Sequence, residues 1–289
     1  MRPMNQGTVL LIDIGNTRIK WTRWRAGRLA PQQARQFAGW TEGDFARELF
    51  RGGHDAGIER VVASSVAGSR VERTLARAAR RFLDVRVEFA TTVRHKAGLT
   101  TRYTEPWRLG VDRFLAALGA HQLAGGRPVC VVSAGTAVTI DLIDARGVHR
   151  GGAILPGPEL MIRSLLENTD GIERRARGAR SAGHSIRGAG RAEHRGGDLF
   201  ARSTRAAIEQ GARQAIGALI DRAVARARVL AGRAPLVVLT GGAATQLRGS
   251  FGARAVLAPD LVLRGLALYA GLNLSAPARI RSGSQGPRN

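Results

Sequence analysis

The sequence predicts an α/β protein built from two similar halves, and three observations support this. Residues 9–24 read as a short apolar strand, a tight polar turn and a second strand of alternating polarity. Residues 129–143 repeat that pattern, with Gly135 in the place of Gly15. In the first half a three-stranded meander is followed by helix, strand, helix and strand, which is the order of a ribonuclease H-like half. We therefore expect a duplicated ribonuclease H-like fold with mixed sheets and a nucleotide cleft between the halves.

The first turn has the composition of a phosphate-binding loop. Gly15 and Asn16 can both adopt positive φ, so the chain can reverse there. The turn offers backbone N–H groups, the Thr17 hydroxyl and the Lys20 ammonium to an anion, and Asp13 is placed to hold a divalent metal. It is not a Walker loop, because the glycine–lysine spacing is missing and a strand follows where a helix is required. An ordinary hairpin with a surface aspartate is the alternative interpretation of this segment alone.

The second copy of the motif favours the phosphate-loop interpretation. In it Ser133 takes the place of Asp13, and the second strand carries Thr139 and Asp141. Two phosphate-type hairpins, one in each half of the chain, suggest a nucleotide bound between the halves.

Composition limits the classes of protein that remain. At 289 residues and 44% hydrophobic content, the chain is long enough for two moderate domains or one large one. No apolar run approaches the ~18 residues of a membrane span, and the N-terminal run is short and interrupted by Asp13, unlike a signal peptide. The single cysteine, Cys130, falls in a predicted core strand. These features indicate a cytoplasmic protein without a membrane partner.

The formal net charge of +23 raises the question of nucleic acid as a partner. Lys20 and Lys96 are the only lysines among 45 basic residues, so the other 43 are arginines, spread along the chain. Sequence-specific nucleic-acid modules combine a localised basic patch with a recognisable motif, and the sequence has neither. An arginine-for-lysine bias from a GC-rich genome explains the composition, and nonspecific adhesion to polyanions at low salt is expected.

The elements of the first half follow from periodicity and capping signals. A turn at 25–28 completes the meander. Thr41 and Asp44 are spaced like a capping box before a helix at 41–50, and Ser69 and Glu72 before a helix ending at Phe82. Strands are predicted at 58–66, where the run ends in small residues, and at 85–89. Residues 91–107 are predicted to be irregular, and a helix is predicted at 111–123.

The second half restarts at Pro128 and is predicted to extend to residue 274. It contains a third strand at 148–155, a helix ending at Glu167, a long helix at 199–230, a buried strand at 236–239 before a glycine pair, and a closing helix at 260–272. Residues 173–197 are rich in Arg, Gly, Ala and His and are predicted to be a flexible loop, with His184 and His194 as solvated side chains. We predict domains at 1–124 and 125–274 and a disordered tail at 275–289.

Several segments, taken together, resemble type III pantothenate kinases, which belong to the acetate and sugar kinase, Hsp70 and actin superfamily. This resemblance implies an actin-like ATPase fold for the duplicated halves. The similarity extends in order over nearly the whole chain. The matching segments are Asp13 to Lys20, Tyr103 to Arg113, Gly135 to Asp141, Gly151 to Gly157, Thr204 with Gly211, and the pair Gly241 and Gly242.

The resemblance implies a role for each matched position. Asp112 would be the general base, and Thr136 would contact the ATP phosphates. Asp13 would lie near the Mg²⁺ that accompanies ATP, and family members of this type are dimers with the pantothenate site near the subunit interface. The implied first phosphate loop is Asp13, Ile14, Gly15, Asn16, Thr17, Arg18, Ile19 and Lys20; the adenosine contacts are Gly241 and Gly242; the pantothenate contacts are Tyr103, Gly110, Val111, Asp112, Arg113 and Thr204.

Two positions depart from the family pattern. Ser133 stands where many members carry an aspartate that helps to hold a monovalent cation, K⁺ or NH₄⁺, and a hydroxyl has no formal charge for that ion. The usual Leu-Pro after Thr169 is replaced by Gly171-Ile172-Glu173. We therefore expect a weaker monovalent-cation site and an altered substrate-side loop.

Asp112 also has a physical reading that does not depend on the family. It lies in the predicted first turn of a helix, where a carboxylate suits the positive end of the helix dipole. A helix-start aspartate paired with Arg113 at the surface would have the same sequence. In phosphoryl transfer the base mainly orients the attacking hydroxyl, and Arg113 could hold the substrate carboxylate or the moving phosphoryl group.

Together these features predict ATP-dependent phosphorylation of pantothenate to 4′-phosphopantothenate, the first step of coenzyme A biosynthesis. Two alternatives stay open from the sequence. One is a superfamily kinase acting on another small alcohol, and the other is a basic regulatory or transcription-accessory protein of the same family.

Overall fold

The structure, a computed structural model, describes residues 7–51, 57–169, 171–172 and 200–275 of the 289. Two compact units can be distinguished: the first comprises described residues within 1–126, 146–149 and 260–289, and the second those within 127–145 and 150–259. The predicted loop at 173–197, with His184 and His194, lies outside the described residues, as does the predicted tail after Ser275.

Thirteen strands are assigned in the described part of the chain. In chain order they are β1 (Thr8–Ile14), β2 (Arg18–Arg25), β3 (Arg28–Leu29), β4 (Gln33–Gln36), β5 (Ile58–Ser65), β6 (Val87–Phe89), β7 (His95–Lys96), β8 (Leu99–Thr101), β9 (Val129–Ala134), β10 (Ala137–Ile143), β11 (Val148–Pro156), β12 (Leu236–Thr240) and β13 (Ala255–Leu257).

The principal helices of the described residues are α1 (Glu42–Leu49), α2 (Ser69–Leu83), α3 (Val111–Ala124), α4 (Pro158–Glu167), α5 (Thr204–Ala231) and α6 (Leu261–Tyr269). Short 3-10 turns lie at Pro106–Arg108 and Ala244–Leu247. None of the described helices is both long and apolar enough to cross a membrane.

The two sheets repeat one topology. In the first unit the strand order is β3-β2-β1-β5-β6, with β4 also pairing β2. Strand β1 is antiparallel to β2 and parallel to β5, which is parallel to β6. In the second unit β9 is likewise antiparallel to β10 and parallel to β12, which is parallel to β13. The predicted duplicated ribonuclease H-like fold is therefore confirmed.

Each unit buries its own apolar core. In the first unit Leu10, Ile12 and Trp21 of the sheet pack with Phe45 of α1 and Leu75 of α2. In the second unit the core joins β9, β10 and β12 to α5. Cys130 is buried in this second core, as predicted, and burial raises the pKa of its thiol to about 12. The thiol is therefore a small apolar group rather than a nucleophile at neutral pH.

Helices α3 and α6 cross at very short range within the first unit, through one glycine on each helix. A Cβ placed on Gly119 would lie 2.5 Å from the Leu261 carbonyl oxygen, and one placed on Gly265 would lie 1.9 Å from the Leu115 carbonyl oxygen. Any side chain at either position would separate the backbones. Because α3 begins with the predicted catalytic segment, this crossing helps to fix where that segment lies.

Of the two capping boxes predicted at helix starts, one is present and one is not. The capping box of Thr41 and Asp44 is present, with both reciprocal hydrogen bonds. The predicted box of Ser69 and Glu72 is wrong: Gly68 is the N-cap, and no side chain caps the helix. Ser69 is already the first helical residue, so its hydroxyl is one position too late to serve as the cap.

Three other element predictions need correction. Residues 91–107 are not wholly irregular, since they contain β7, β8 and a 3-10 turn. Strands of two or three residues are too short to show a period. Strand β13, with three residues, escaped prediction for the same reason, and β4, with four residues, was also missed. The long helix begins at Thr204, with the Ser203 hydroxyl as N-cap, rather than at 199.

Candidate active site

The first phosphate-type turn joins β1 to β2 and is held by a main-chain hydrogen bond from Gly15 N–H to the Arg18 carbonyl, 3.0 Å long. Neither Gly15 nor Asn16 has positive φ, so the predicted reason for the reversal is wrong. The loop residues 15–18 reverse the chain without a left-handed residue. A Cβ on Gly15 would lie 3.2 Å from the Arg18 oxygen, so the glycine serves close approach.

The side chains of this segment divide between the core and the surface. Ile14 and Ile19 are fully buried, so only their main-chain atoms are available to a ligand. Asn16, Thr17 and Arg18 are exposed. The hairpin therefore presents a polar tip on an apolar base, as an anion-binding turn requires.

Asp13 is the buried carboxylate of the first unit, with 7% of its surface exposed. It pairs with Lys20 across the β1–β2 ladder and accepts a hydrogen bond of 3.0 Å from the Ser64 hydroxyl of β5. Burial raises the pKa of the Asp13 carboxyl, while the Lys20 charge and the Ser64 hydrogen bond lower it and the charge of Asp112 raises it. The Asp112 carboxylate therefore lies close enough to Asp13 for its charge to be felt there.

Such a pair suits a divalent cation. Mg²⁺ commonly binds one or two carboxylates and completes its shell with water and substrate phosphates. Among the described residues no group of three or more His, Cys, Asp and Glu side chains could hold a metal by itself. The donors present therefore fit a nucleotide-bound Mg²⁺ better than a resident structural metal.

Asp112 lies in the first turn of α3, as predicted, with Gly110 as the N-cap residue and Val111 as the first helical residue. A Cβ on Gly110 would lie 2.7 Å from Asp112 Oδ1, so the carboxylate folds back over the glycine. The neighbouring Arg113 is only 7% exposed. Because Arg113 is buried, Asp112 and Arg113 do not form the exposed surface pair that the sequence left as an alternative.

Arg113 connects this helix start to Tyr103. Its Nη1 donates to the Tyr103 hydroxyl at 3.2 Å, and its Cζ lies 5.9 Å from the centre of the tyrosine ring. On another side the ring meets His149, at 5.8 Å between centroids and 45° between planes. His149 is fully buried in β11 and pairs with Thr101 of β8. Sequence analysis missed His149, because a lone histidine in a strand carries no signal.

The second phosphate-type turn is enclosed by two other glycine segments of the second unit. Gly135 N–H donates to the Ala137 carbonyl at 2.9 Å, and Gly157 N–H donates to the Thr136 carbonyl at 2.8 Å. A Cβ on Gly157 would lie 2.2 Å from the Gly135 oxygen. Gly241 has φ +93°, and its Cβ would lie 2.2 Å from the Ala134 oxygen. The three segments therefore approach one another through main-chain atoms, with no side chain between them. Thr136 is exposed at this place, and Gly242 follows Gly241 in the chain.

Ser133 lies at the end of β9, half-buried, and pairs with Thr240 of β12. Thr240 is 1% exposed, and its hydroxyl has no hydrogen-bond partner among the described residues. Two hydroxyl-bearing side chains, with no formal charge, therefore lie at this strand end.

Thr204 is the first residue of α5 and borders a groove between α4 and α5. The groove has a volume of about 870 Å³, and most of its lining is apolar, including Leu160, Met161, Leu165 and Ile208. Within the second unit, Thr204 belongs to this groove, and Thr136, Gly241 and Gly242 belong to the cluster at the second turn. In the first unit, Asp13 lies within electrostatic reach of Lys20 and Asp112, and Arg113, the neighbour of Asp112 in the chain, is hydrogen-bonded to Tyr103.

Comparison with known proteins identifies the relatives of this chain. A family model described as type III pantothenate kinase matches residues 9–226. A type III pantothenate kinase of Azoarcus sp. is 35% identical over 262 residues, covering 91% of this chain and 90% of that protein. One from Nitrosococcus oceani is 32% identical over 269 residues, covering 91% and 93%.

Solved structures show the same fold at lower identity. A Baf family protein from Campylobacter jejuni has a TM-score of 0.54 at 20% identity, covering 89% of this chain and 94% of its own. The activator of a 2-hydroxyisocaproyl-CoA dehydratase from Clostridium difficile, with bound ADPNP, has a TM-score of 0.50 at 13% identity, covering 91% and 94%. The solved structures show the fold, and the sequence matches show the family. This chain belongs to the type III pantothenate kinase family.

Proposed function

We propose that the protein transfers the γ-phosphoryl group of ATP to the terminal hydroxyl of pantothenate, giving 4′-phosphopantothenate in the first step of coenzyme A biosynthesis. Family membership supports the reaction. The structural observation that carries it is the pairing of Asp13, a buried carboxylate at a phosphate-type turn, with Asp112 within electrostatic reach. Phosphoryl transfer needs these two things, a place for metal-bound phosphate and an oriented acceptor hydroxyl.

On the nucleotide side, the main chain of the first turn and the Lys20 ammonium bind the phosphates. Asp13 holds the Mg²⁺ that accompanies ATP, and Ser64 keeps the Asp13 carboxylate in place. When bound, the metal neutralises charge on the phosphate oxygens. In the second unit the Thr136 turn binds phosphate, while Gly241 and Gly242 allow the adenosine to approach the backbone.

On the acceptor side, Asp112 orients the hydroxyl of pantothenate and takes its proton as the new bond forms. Arg113 and Tyr103 bind the substrate next to it, with the main chain of Gly110 and Val111. A buried arginine held by a tyrosine hydroxyl is pre-oriented to meet an anionic group. Thr204 is a further proposed pantothenate contact.

A monovalent cation, K⁺ or NH₄⁺, contributes less here than in relatives with an aspartate at the second turn. Ser133 and Thr240 supply neutral oxygens, whereas hard cations prefer charged oxygen donors. We therefore propose weak activation by these ions.

We further propose a cytoplasmic homodimer that binds nucleic acid only nonspecifically. The apolar groove between α4 and α5 supports the dimer, because Leu165 beside it is 43% exposed and Ile154 of β11 is 64% exposed. Exposed apolar surface of this kind marks interaction sites. Light scattering of the purified protein tests the dimer, and Leu165→Glu should shift it towards monomer.

ADP release is the decisive assay for the reaction. Purified protein with ATP, Mg²⁺ and K⁺ or NH₄⁺ should release ADP only when pantothenate is added. Turnover with other small alcohols but not with pantothenate would assign a different acceptor. DNA binding that survives moderate salt, without turnover, would instead support a regulatory protein.

A further inference from the structure

A single arginine outside the predicted site ties down the segment that carries Tyr103. The Arg94 guanidinium donates to three successive parts of that segment: Nη1 to the Thr101 carbonyl at 3.2 Å and to the Tyr103 carbonyl at 2.6 Å, and Nη2 to the Thr104 carbonyl at 2.8 Å. Residues 102–105 have no helix or strand of their own. Apart from the Glu105 carbonyl, which accepts from the Arg108 N–H, their carbonyls depend on side chains or water for hydrogen bonds.

Only an arginine can make this set of contacts. A guanidinium carries five N–H donors in a rigid, planar fork, whereas a lysine ammonium is a compact point charge on a flexible stem. The fork fixes the relative positions of three carbonyls, and so fixes the direction in which the Tyr103 side chain leaves the backbone.

The consequences reach the acceptor side of the proposed site. Tyr103 contacts Arg113 through its hydroxyl and ring, and Arg113 follows Asp112 in the first turn of α3. His149 packs against the tyrosine ring. Nearby, the Thr92 hydroxyl donates to the Leu109 carbonyl at 2.7 Å, which restrains the chain just before Gly110. The main chain of Tyr103 is held on both sides, because its carbonyl accepts from Arg94 and its N–H donates to the Thr101 hydroxyl at 3.3 Å.

We propose that Arg94 is a positioning residue for pantothenate: it sets the place of Tyr103, and through Tyr103 that of Arg113, without touching the substrate itself. The inference rests on the proposed function for the identity of the acceptor. It adds a residue that no sequence motif or family segment discussed above includes.

The variant Arg94→Met isolates this effect. Arg94 is exposed and the released carbonyls can be hydrated, so we expect the fold to survive. We expect kcat/KM for pantothenate to fall by about tenfold to a hundredfold, the range caused by misplacing binding groups by about an ångström. The KM for ATP should be unchanged. Arg73→Met is the matched control, since Arg73 of α2 is exposed and its side chain makes no ion pair or hydrogen bond with any residue that the structure describes.

Two further measurements separate positioning from a merely structural role. In a Tyr103→Ala background, Arg94→Met should cause little additional loss, because both changes act through one side chain. Guanidinium ion added to Arg94→Ala should recover part of the pantothenate KM, compared with sodium chloride at equal ionic strength. The proposal would be overturned by equal losses in kcat/KM for ATP and for pantothenate, by additive effects of the two substitutions, or by the absence of rescue.

We call the three hydrogen bonds from Arg94 to the carbonyls of Thr101, Tyr103 and Thr104 the Arg94 clamp. Hydrogen exchange tests this clamp independently of the identity of the acceptor. Peptides covering residues 100–108 should exchange faster in Arg94→Met than in wild type or Arg73→Met. Unchanged exchange overturns the clamp, whatever the substrate proves to be. If exchange is faster in the variant but the wild-type protein does not phosphorylate pantothenate, the clamp is supported and the proposed function is rejected.

Discussion

Asp13 and Ser64 face each other across two parallel strands, and the Ser64 hydroxyl donates a hydrogen bond of 3.0 Å to the Asp13 carboxylate. Ser64 is fully buried, so this bond is shielded from competing water. The serine comes from β5 and lies 51 residues after the aspartate that it supports. The relationship makes Asp13 a carboxylate held in one orientation, which is what a metal ligand requires.

Replacement of Asp13 should directly lower the rate of phosphoryl transfer. In Asp13→Asn the amide oxygen can still accept from Ser64, but the negative charge that faces the metal is lost. We expect kcat to fall roughly tenfold to a thousandfold, on the scale of other electrostatic contacts in active sites. Steady-state kinetics over a range of Mg²⁺ concentrations measures this. Near-normal turnover at saturating Mg²⁺ would remove Asp13 from the metal site.

The same variant should be more stable than the wild type when no metal is present. Burial raises the pKa of Asp13 in the folded state, so its contribution favours folding below the unfolded pKa and is lost as pH rises through the folded pKa. In EDTA, Asp13→Asn should therefore melt at a higher temperature than wild type near neutral pH, and the difference should shrink on acidification. Added Mg²⁺ and ATP should stabilise wild type more than the variant. A variant less stable at neutral pH would refute the burial argument.

Asp112→Asn separates chemistry from binding. The amide keeps the size and one hydrogen bond of the carboxylate but not its basicity, so kcat should fall by about a hundredfold to ten-thousandfold. ATP affinity should persist, because the turns at Gly15 and Thr136 are untouched. If Asp112 were only a helix-start residue, the variant would lose under ~1 kcal/mol of stability and keep its turnover. A folded variant with wild-type kcat would therefore exclude the catalytic role.

Activation by K⁺ should be shallow. Ser133 and Thr240 offer only neutral oxygens at the end of β9 and β12, so the rate should change little when K⁺ replaces Na⁺ at constant ionic strength. Ser133→Asp should increase the dependence by restoring a charged ligand. A steep, saturable response of the wild type would show that other oxygens hold the ion.

Gly265→Ala should destabilise the first unit. The added methyl would lie 1.9 Å from the Leu115 carbonyl oxygen, so α3 and α6 must separate. Forced overpacking of this kind commonly costs about 1–3 kcal/mol. Gly43→Ala in α1 is the matched control, because its Cβ meets only Thr41 Oγ1 at 3.8 Å; there we expect a gain of up to ~1 kcal/mol from helix propensity. Thermal unfolding of both variants decides the point, and equal stability of Gly265→Ala and wild type would contradict the close crossing.

Much of the architecture could be predicted because its signals are local. The strands of the two hairpins carry their apolar runs and alternation in consecutive residues, and the helices at 42–49, 111–124 and 158–167 have periodic apolar faces or local start signals. Repetition of the hairpin then implied the duplicated fold. The same locality explains why Asp13 and Asp112 could be singled out: each belongs to a contiguous motif at a turn or helix start.

What only the tertiary structure decided are the contacts between residues far apart in sequence. Ser64 became a partner of Asp13 because β5 pairs in parallel with β1, and His149 reached Tyr103 because β11 pairs with β8. The Arg94 clamp depends on how a segment without regular structure folds back on itself. The sequence by itself thus determined most of the longer strands and helices and the repeat of the hairpin, and it suggested the candidate site residues that belong to contiguous motifs. Strand register and helix crossing determined which side chains hold them, because these depend on packing over the whole unit rather than on any short stretch of chain.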